Sequence, residues 1–241
     1  MKRSKITILL AIVLGMTFHS CLDLEPQDQL GGKNMWTSVN DYKQFANTFY
    51  SWTRDFSSVV YDGTHSDKRS DLITYQSYNE FSRGINSIPS SDANYTDNYK
   101  HIRRTNLLLQ NAEAYAKPED IKQYIGEAYF FRAYSYFDLL QLYGDVIITK
   151  KPLDITDPEM KVKRNDRSEV VDLIIDDLNH AVENLPAFKE LTTEEEGRIS
   201  KEGAQAFLSR VALYEGTWQK SRNGNQNTQR SANLLDIAAK A

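Results

Sequence analysis

One stretch constrains the fold before any other. Residues 124–145 read YIGEAYFFRAYSYFDLLQLYGD. At helical spacing Ile125, Ala128, Tyr129, Arg132, Tyr136, Leu139, Leu140 and Tyr143 form one stripe, and the other faces carry Phe130, Phe131, Ala133, Tyr134 and Phe137. A helix that is apolar on nearly every side has no face to offer water. It must lie inside a domain, with other helices packed around it. Gly144 is placed to close it, because glycine takes a positive φ without a Cβ clash. Ahead of it, Pro118 with Glu119 and Asp120 makes a favourable first turn. Arg132 is the exception within the stripe. A guanidinium there needs a carboxylate or carbonyl partner, or must snorkel outward. Asp176 or Asp177 is the expected partner for it and for Arg210.

The remaining helices follow from the same periodicity. A first helix is predicted from about Ser38 to Arg54, with Val39, Tyr42, Phe45, Ala46, Phe49 and Tyr50 inward and Ser38 or Asn40 as cap. Tyr99 to Ala116 places Ile102, Leu109 and Ala112 on one face, with Asn106 in the stripe bonding a neighbouring backbone. After the central helix come an extended segment, Val146 to Thr149, and a loop through Pro152 and Pro158. Asp166 or Ser168 begins a helix whose Val170, Val171, Ile174, Ile175, Leu178, Ala181, Val182 and Leu185 share a face, and Pro186 stops it. Glu194, Glu195 and Glu196 read as a solvated loop. Ser200 caps a further helix carrying Ala204, Phe207, Leu208, Val211 and Trp218. The final run, SANLLDIAAKA, has no glycine or proline stop and reads as a chain cut within a helix. Ala128, Arg132 and Tyr136 recur at the same steps as Ala206, Arg210 and Tyr214. The expected fold class is all-α, a TPR-like array of stacked helical hairpins in which each pair buries its apolar face on the next.

The N-terminus is read as targeting. Lys2, Arg3 and Lys5 precede a short apolar run, Ile6 to Phe18, too short to span a bilayer comfortably. Residues 1–20 are therefore predicted to be a signal peptide. Cys21, the single cysteine, follows Ser20 and cannot form an intramolecular disulfide. Its position resembles the lipobox of a bacterial lipoprotein, with Phe18 where leucine is usual. Acylation there would anchor the chain to a membrane surface without a spanning helix. Residues 21–35, rich in Asp, Glu, Gly and Pro, form a polar tether, and the domain occupies residues 36–241. Losing Lys2, Arg3 and Lys5 from the 29 basic residues leaves 26 against 33 acidic ones, a net charge of −7. That balance argues against nucleic acid as a partner.

Periodicity fails from Asp55 to Asn98, a stretch longer than an ordinary connection. It mixes Ser, Asp, Asn and Gly with Tyr61, Tyr75, Tyr78, Phe81 and Tyr95. Tyrosine, of which the chain has 14, joins an apolar ring to a polar tip. Such rings stack on the C–H face of a pyranose while polar neighbours bind its hydroxyls. The expected ligand-binding residues are Asp67, Arg69, Asp71, Tyr75, Tyr78, Tyr95 and Asn98. His65 with Asp67 is too small a set to hold a metal. No residue pair marks a glycosidase, whose two carboxylates stand about 5–10 Å apart. No phosphate loop or nucleophile triad is present either. The chain is thus read as a binding protein without cofactor or enzymatic activity. A protein-interaction lipoprotein using TPR-like grooves, with no small ligand, is the alternative.

Five blocks in order carry a family resemblance: Cys21 followed by LDLEP, NYKHIRRTNLLLQ, GEAYFFRAYSYFDLLQLYGDV, RNDRSEVVDLIIDDLNHAVENLP and GRISKEGAQAFLSRVALYEGTW. Together they resemble the RagB/SusD family of Bacteroidetes lipoproteins over nearly the whole chain after the signal. Members are typically about twice this length, so the resemblance implies an N-terminal, TPR-bearing half. It also implies an outer-membrane surface lipoprotein that captures a nutrient, usually a glycan, and forms the lid of a TonB-dependent transporter. The TPR-like helices would face the transporter, and loops would supply the ligand contacts.

Overall fold

The computed structural model describes residues 35–54, 70, 72, 80–222 and 228–241. The signal segment, Cys21 and the tether up to residue 34 lie outside them. Trp36–Ala241 is one compact unit.

Six α-helices occur among the described residues: α1 (Val39–Asn47), α2 (Ala93–Glu113), α3 (Lys122–Tyr143), α4 (Arg167–Asn184), α5 (Lys201–Arg222) and α6 (Thr228–Lys240). Ser38 caps α1 in a reciprocal box, its N–H donating to the Asp41 carboxylate at 2.7 Å. The expected single helix to Arg54 is shorter, because the chain tightens into a 3-10 turn at Thr48–Trp52. A second 3-10 turn, Pro118–Ile121, leads into α3 as the proline and its carboxylates suggest. Gly144 ends α3 at φ 71°. At the start of α4, the Glu169 carboxylate accepts from the Asp166 N–H at 3.2 Å.

α3 is the centre of the array, buried on all sides as its composition demands. Tyr136, Phe131, Leu139, Leu140, Ala128 and Ala133 have at most 1% exposure. α2 packs on α3, α3 on α4, α4 on α5 and α5 on α6, with α1 also against α3. Each hairpin thus buries its apolar face on the next. Gly126 allows one close approach: a Cβ there would lie 2.9 Å from Leu185 Cγ at the end of α4. In α2 the buried leucine is Leu108, while Leu109 is half-buried.

Among the described residues, three arginine–carboxylate pairs are largely buried between these layers. Arg132 on α3 meets Asp177 on α4 with Nε–Oδ2 2.8 Å and Nη2–Oδ1 2.6 Å, and its Nη1 donates to Asn106 Oδ1 on α2 at 2.8 Å. Arg167 on α4 reaches Glu215 on α5, with Nε–Oε2 2.9 Å, and its guanidinium lies 4.1 Å from the Trp218 ring. Arg198, ahead of α5, returns to Glu127 on α3 through two 2.7 Å bonds. Planar forks of this kind fix both distance and angle between the elements they join.

Arg132 therefore has the partner expected, but Arg210 does not. Asp177 is taken by Arg132, and Arg210 is exposed, as is Ala206. Ala128 and Arg132 are buried. The sequence echo between α3 and α5 is not an equivalence of environments. The residue that α5 contributes to the buried α4–α5 pair is Glu215, one residue after the echo ends.

Candidate functional site

The segment after α3 is extended yet belongs to no sheet. Its one ladder-like contact is an isolated bridge between Val146 and Asn165. Backbone groups in such a stretch must still find partners, and two tyrosines supply them. The Tyr99 hydroxyl, from α2, accepts from the Ile147 N–H at 2.9 Å and donates to the Ile147 carbonyl at 2.8 Å. The Tyr136 hydroxyl, from α3, does the same for Thr149, at 2.7 and 3.2 Å. Asn165 Oδ1 takes the Ile148 N–H at 2.9 Å. Asn106 then donates to the carbonyls of Thr149 and Lys151 at 3.0 and 3.2 Å. Each phenol thus replaces a neighbouring strand, and the Arg132–Asn106 contact ties the segment to the buried charge pair. Burial pushes both phenols well above the usual tyrosine range, so they stay protonated and keep donating.

Held in this way, the segment forms one wall of a groove of about 480 Å³, with the first turns of α2 as the other. Tyr95, Tyr99, Ile147, Leu153 and Met160 give apolar surface, and Lys100, Arg103, Lys151 and Glu159 stand at its edges. Tyr95 is half-buried. Its ring centroid is 4.8 Å from that of Tyr99 and 5.2 Å, edge-on, from that of Tyr143. Tyr143 is held in turn by a 2.7 Å bond to Asp92 Oδ2. A rigid ring surface bordered by long polar side chains suits a ligand with one apolar face and many hydroxyls. A larger hollow of about 620 Å³ lies between α4 and α6. Its lining, which includes Asp172, Asp176, Asn179 and Asn233, has no aromatic ring. Of these two hollows, only the smaller has an aromatic wall.

Of the residues expected to bind ligand, Asp67, Arg69, Asp71, Tyr75 and Tyr78 lie outside the described residues. Tyr95 lies in the groove. Asn98 is 7% exposed, and its Nδ2 donates to the Asn94 carbonyl and to Asp138 Oδ2, both at 2.8 Å. Its amide nitrogen is thus committed within the protein. Both residues sit on α2 and not in a loop. The helix begins at Ala93, six residues before Tyr99, with Asp92 as cap accepting from the Asn94 N–H at 2.9 Å. Tyr99, Arg103 and Lys151 were not singled out from the sequence. The Tyr95–Tyr99 spacing of one helical turn is the available signal, masked by the polar Asn94, Thr96 and Asp97 around Tyr95.

Comparison with known proteins bears on what this groove serves. Residues 22–213 match a SusD-like family model described as "Starch-binding associating with outer membrane". SusD-like protein P38 of Formosa agariphila is 28% identical over 233 residues, covering 88% of this chain and 42% of the relative. SusD-like protein P2 of the same organism is 28% identical over 238 residues, 92% and 45% of the two chains. The crystal structure of a SusD-like protein from Bacteroides fragilis matches with a TM-score of 0.66 at 25% identity, over 90% of this chain and 40% of that one. A laminarin-binding SusD-like protein matches at 0.52 and 29% identity, over 66% and 32%. The chain spans less than half the length of these curated relatives. Its stacked helices and the family match over most of its length agree: the chain belongs to the SusD-like family of carbohydrate-binding, outer-membrane-associated proteins.

Proposed function

We propose that this protein captures oligosaccharides at the cell surface and delivers them to a TonB-dependent, SusC-like transporter in the outer membrane. The groove beside Tyr95 holds part of the sugar. The observation that carries the reading is the Tyr95–Tyr99–Tyr143 ring cluster set beside hydrogen-bonding side chains on a fixed backbone. Stacking against such rings contributes without reorganisation, since each ring is already held by its neighbours. The laminarin-binding relative supports a glycan as the ligand class. Cys21 serves as the lipid anchor, and Asp67, Arg69, Asp71, Tyr75 and Tyr78 extend the sugar contacts. The protein catalyses no reaction, and the glycan leaves it unchanged.

Extraction of the tagged, full-length protein from its own outer membrane in mild detergent tests the delivery step. A large β-barrel transporter recovered in near-stoichiometric amount is the expected result. Recovery of a soluble partner instead, with no barrel, would overturn it and favour an adaptor that recruits proteins.

A further inference from the structure

We infer that Asn106 positions the outer half of the groove wall for sugar binding, although it is too deeply buried to touch a ligand itself. This rests on reading the groove beside Tyr95 as the sugar site. Asn106 stands in the middle of α2 with 0% exposure. Arg132 can only donate, so its Nη1, at 2.8 Å, fixes which end of the Asn106 amide is the oxygen. The amide nitrogen then faces the segment after α3. Its two hydrogens go one each to the Thr149 carbonyl at 3.0 Å and the Lys151 carbonyl at 3.2 Å. Arg132 is itself fixed by two bonds to Asp177, at 2.8 and 2.6 Å. A line of hydrogen bonds thus runs from Asp177 through Arg132 and Asn106 to the backbone of the wall.

The two halves of that wall are held differently. Ile147 and Thr149 are clamped by the Tyr99 and Tyr136 hydroxyls, and those bonds do not involve position 106. From Lys151 to Met160, among the described residues, the polar ties to the helices come from Asn106 and Arg103. Arg103 is half-exposed, with its Nε 3.3 Å from the Leu153 carbonyl and its Nη2 3.8 Å from Asp154, whose side chain is 82% exposed. Contacts so long and so solvated contribute little. Asn106 supplies the buried tie.

Pro152 carries its effect outward. The Lys151 carbonyl belongs to the Lys151–Pro152 peptide plane, and the proline ring locks the φ that follows. Fixing that carbonyl therefore aims Leu153, which lines the groove with Met160 and the Lys151–Glu159 pair. Without the amide, the Lys151 carbonyl loses its donor and the outer wall must be ordered when the sugar binds. That ordering subtracts from affinity.

Asn106→Asp separates the two roles of the amide. Its carboxylate still accepts from Arg132 but has no hydrogen for either carbonyl and repels both. Affinity electrophoresis of the full-length protein through laminarin, xyloglucan, polygalacturonate and alginate identifies the polymer retained most strongly. Affinity for that polymer is then compared among variants, with urea unfolding alongside. Asn106→Asp should weaken it about tenfold. Asn106→Ser, too short to reach both carbonyls, should weaken it at least about threefold, and it carries the test if the charged variant does not fold. Gly126→Ala, which disturbs the α3–α4 contact away from the segment, should lose stability and keep its affinity. Exchange of the Thr149 amide, held by Tyr136, should stay slow in the Asn106 variants.

Unchanged affinity in the folded Asn106 variants would overturn the inference, because the outer wall would not need holding. Affinity that falls as far in Gly126→Ala would assign the effect to general stability and also overturn it. Fast exchange at Thr149 would show the whole segment leaving the helices and overturn a role confined to the outer wall. Retention by no polymer would instead overturn the sugar site on which the inference rests.

Discussion

Removing the Asp177 carboxylate is the sharpest test of how this array is held together. Asp177 and Arg132 have side-chain exposures of 1% and 6%. Arg132 makes three short bonds, two to Asp177 and one to Asn106. In Asp177→Ala the guanidinium keeps only the Asn106 oxygen and remains buried with an uncompensated charge. Breaking a buried pair from one side costs about 3–5 kcal/mol. For a domain near this size that corresponds to a fall in Tm of roughly 6–20 °C. Replacing both partners, Arg132→Met with Asp177→Leu, removes the stranded charge. It leaves Asn106 Oδ1 without a donor, at a cost of about 1–3 kcal/mol. The double variant should therefore be more stable than Asp177→Ala. Urea unfolding at pH 7 followed by far-UV circular dichroism measures both. A loss below about 1 kcal/mol for Asp177→Ala, or a double variant no better than the single one, would refute the reasoning.

Tyr136→Phe should cost about 1–3 kcal/mol, because it strips the Thr149 N–H of its acceptor in a buried position. Hydrogen exchange of the Thr149 amide should rise more than that of the α4 core, and an unchanged rate would contradict the clamp. Gly126→Ala should lower the thermal midpoint, since its Cβ would meet Leu185 Cγ at 2.9 Å. Overpacking of about 1–3 kcal/mol outweighs the gain of about 0.5–1 kcal/mol in helix propensity. A rise in Tm would show that the α3–α4 contact yields freely. His101 stacks on Trp52 at 4.1 Å, and burial lowers its imidazole from 6.5 to about 4. The unfolded chain then takes up the proton first, so this stabilisation is complete above about pH 6.5 and is lost as pH falls toward 4. Relative to His101→Phe, which keeps a ring on Trp52, the protein should lose stability as pH falls through that window. A constant difference in Tm from pH 7 to pH 4 would sink that assignment.

Much of the fold was legible because the chain repeats one local rule. The all-round apolar run at 124–145 announced a central helix, Ser38 announced the cap of α1, and Gly144 announced a positive φ. The first turn and a half of α2 was not legible, since Asn94, Thr96 and Asp97 carry no apolar period and the capping signal of Asp92 lay within a run of Ser and Asp. That misplacement hid the Tyr95–Tyr99 pair, and with it half of the groove. Arg167, Arg198, Glu127 and Glu215 looked like ordinary surface residues. Their pairing spans 48 and 71 positions, and no local pattern reports a contact of that range. The Arg132–Asp177 pair was legible only because arginine was conspicuous inside an apolar stripe. The same logic failed for Arg210, whose helix is amphipathic and turns that residue to solvent. The clamp of Ile147 and Thr149 by two phenols could not be read from sequence, because tyrosine in a buried stripe looks like any other core aromatic.

The central claim, that the Tyr95 groove is where sugar is held, is tested most directly by calorimetric titration of the protein and its Tyr95→Ala variant. The glycan that the protein retains most strongly is the titrant, and Tm is measured alongside. The account predicts a loss of affinity of at least about tenfold, on the order of 1–2 kcal/mol from one lost ring face, with helix content preserved. Equal affinity in the two proteins would contradict it and place the sugar elsewhere on the molecule.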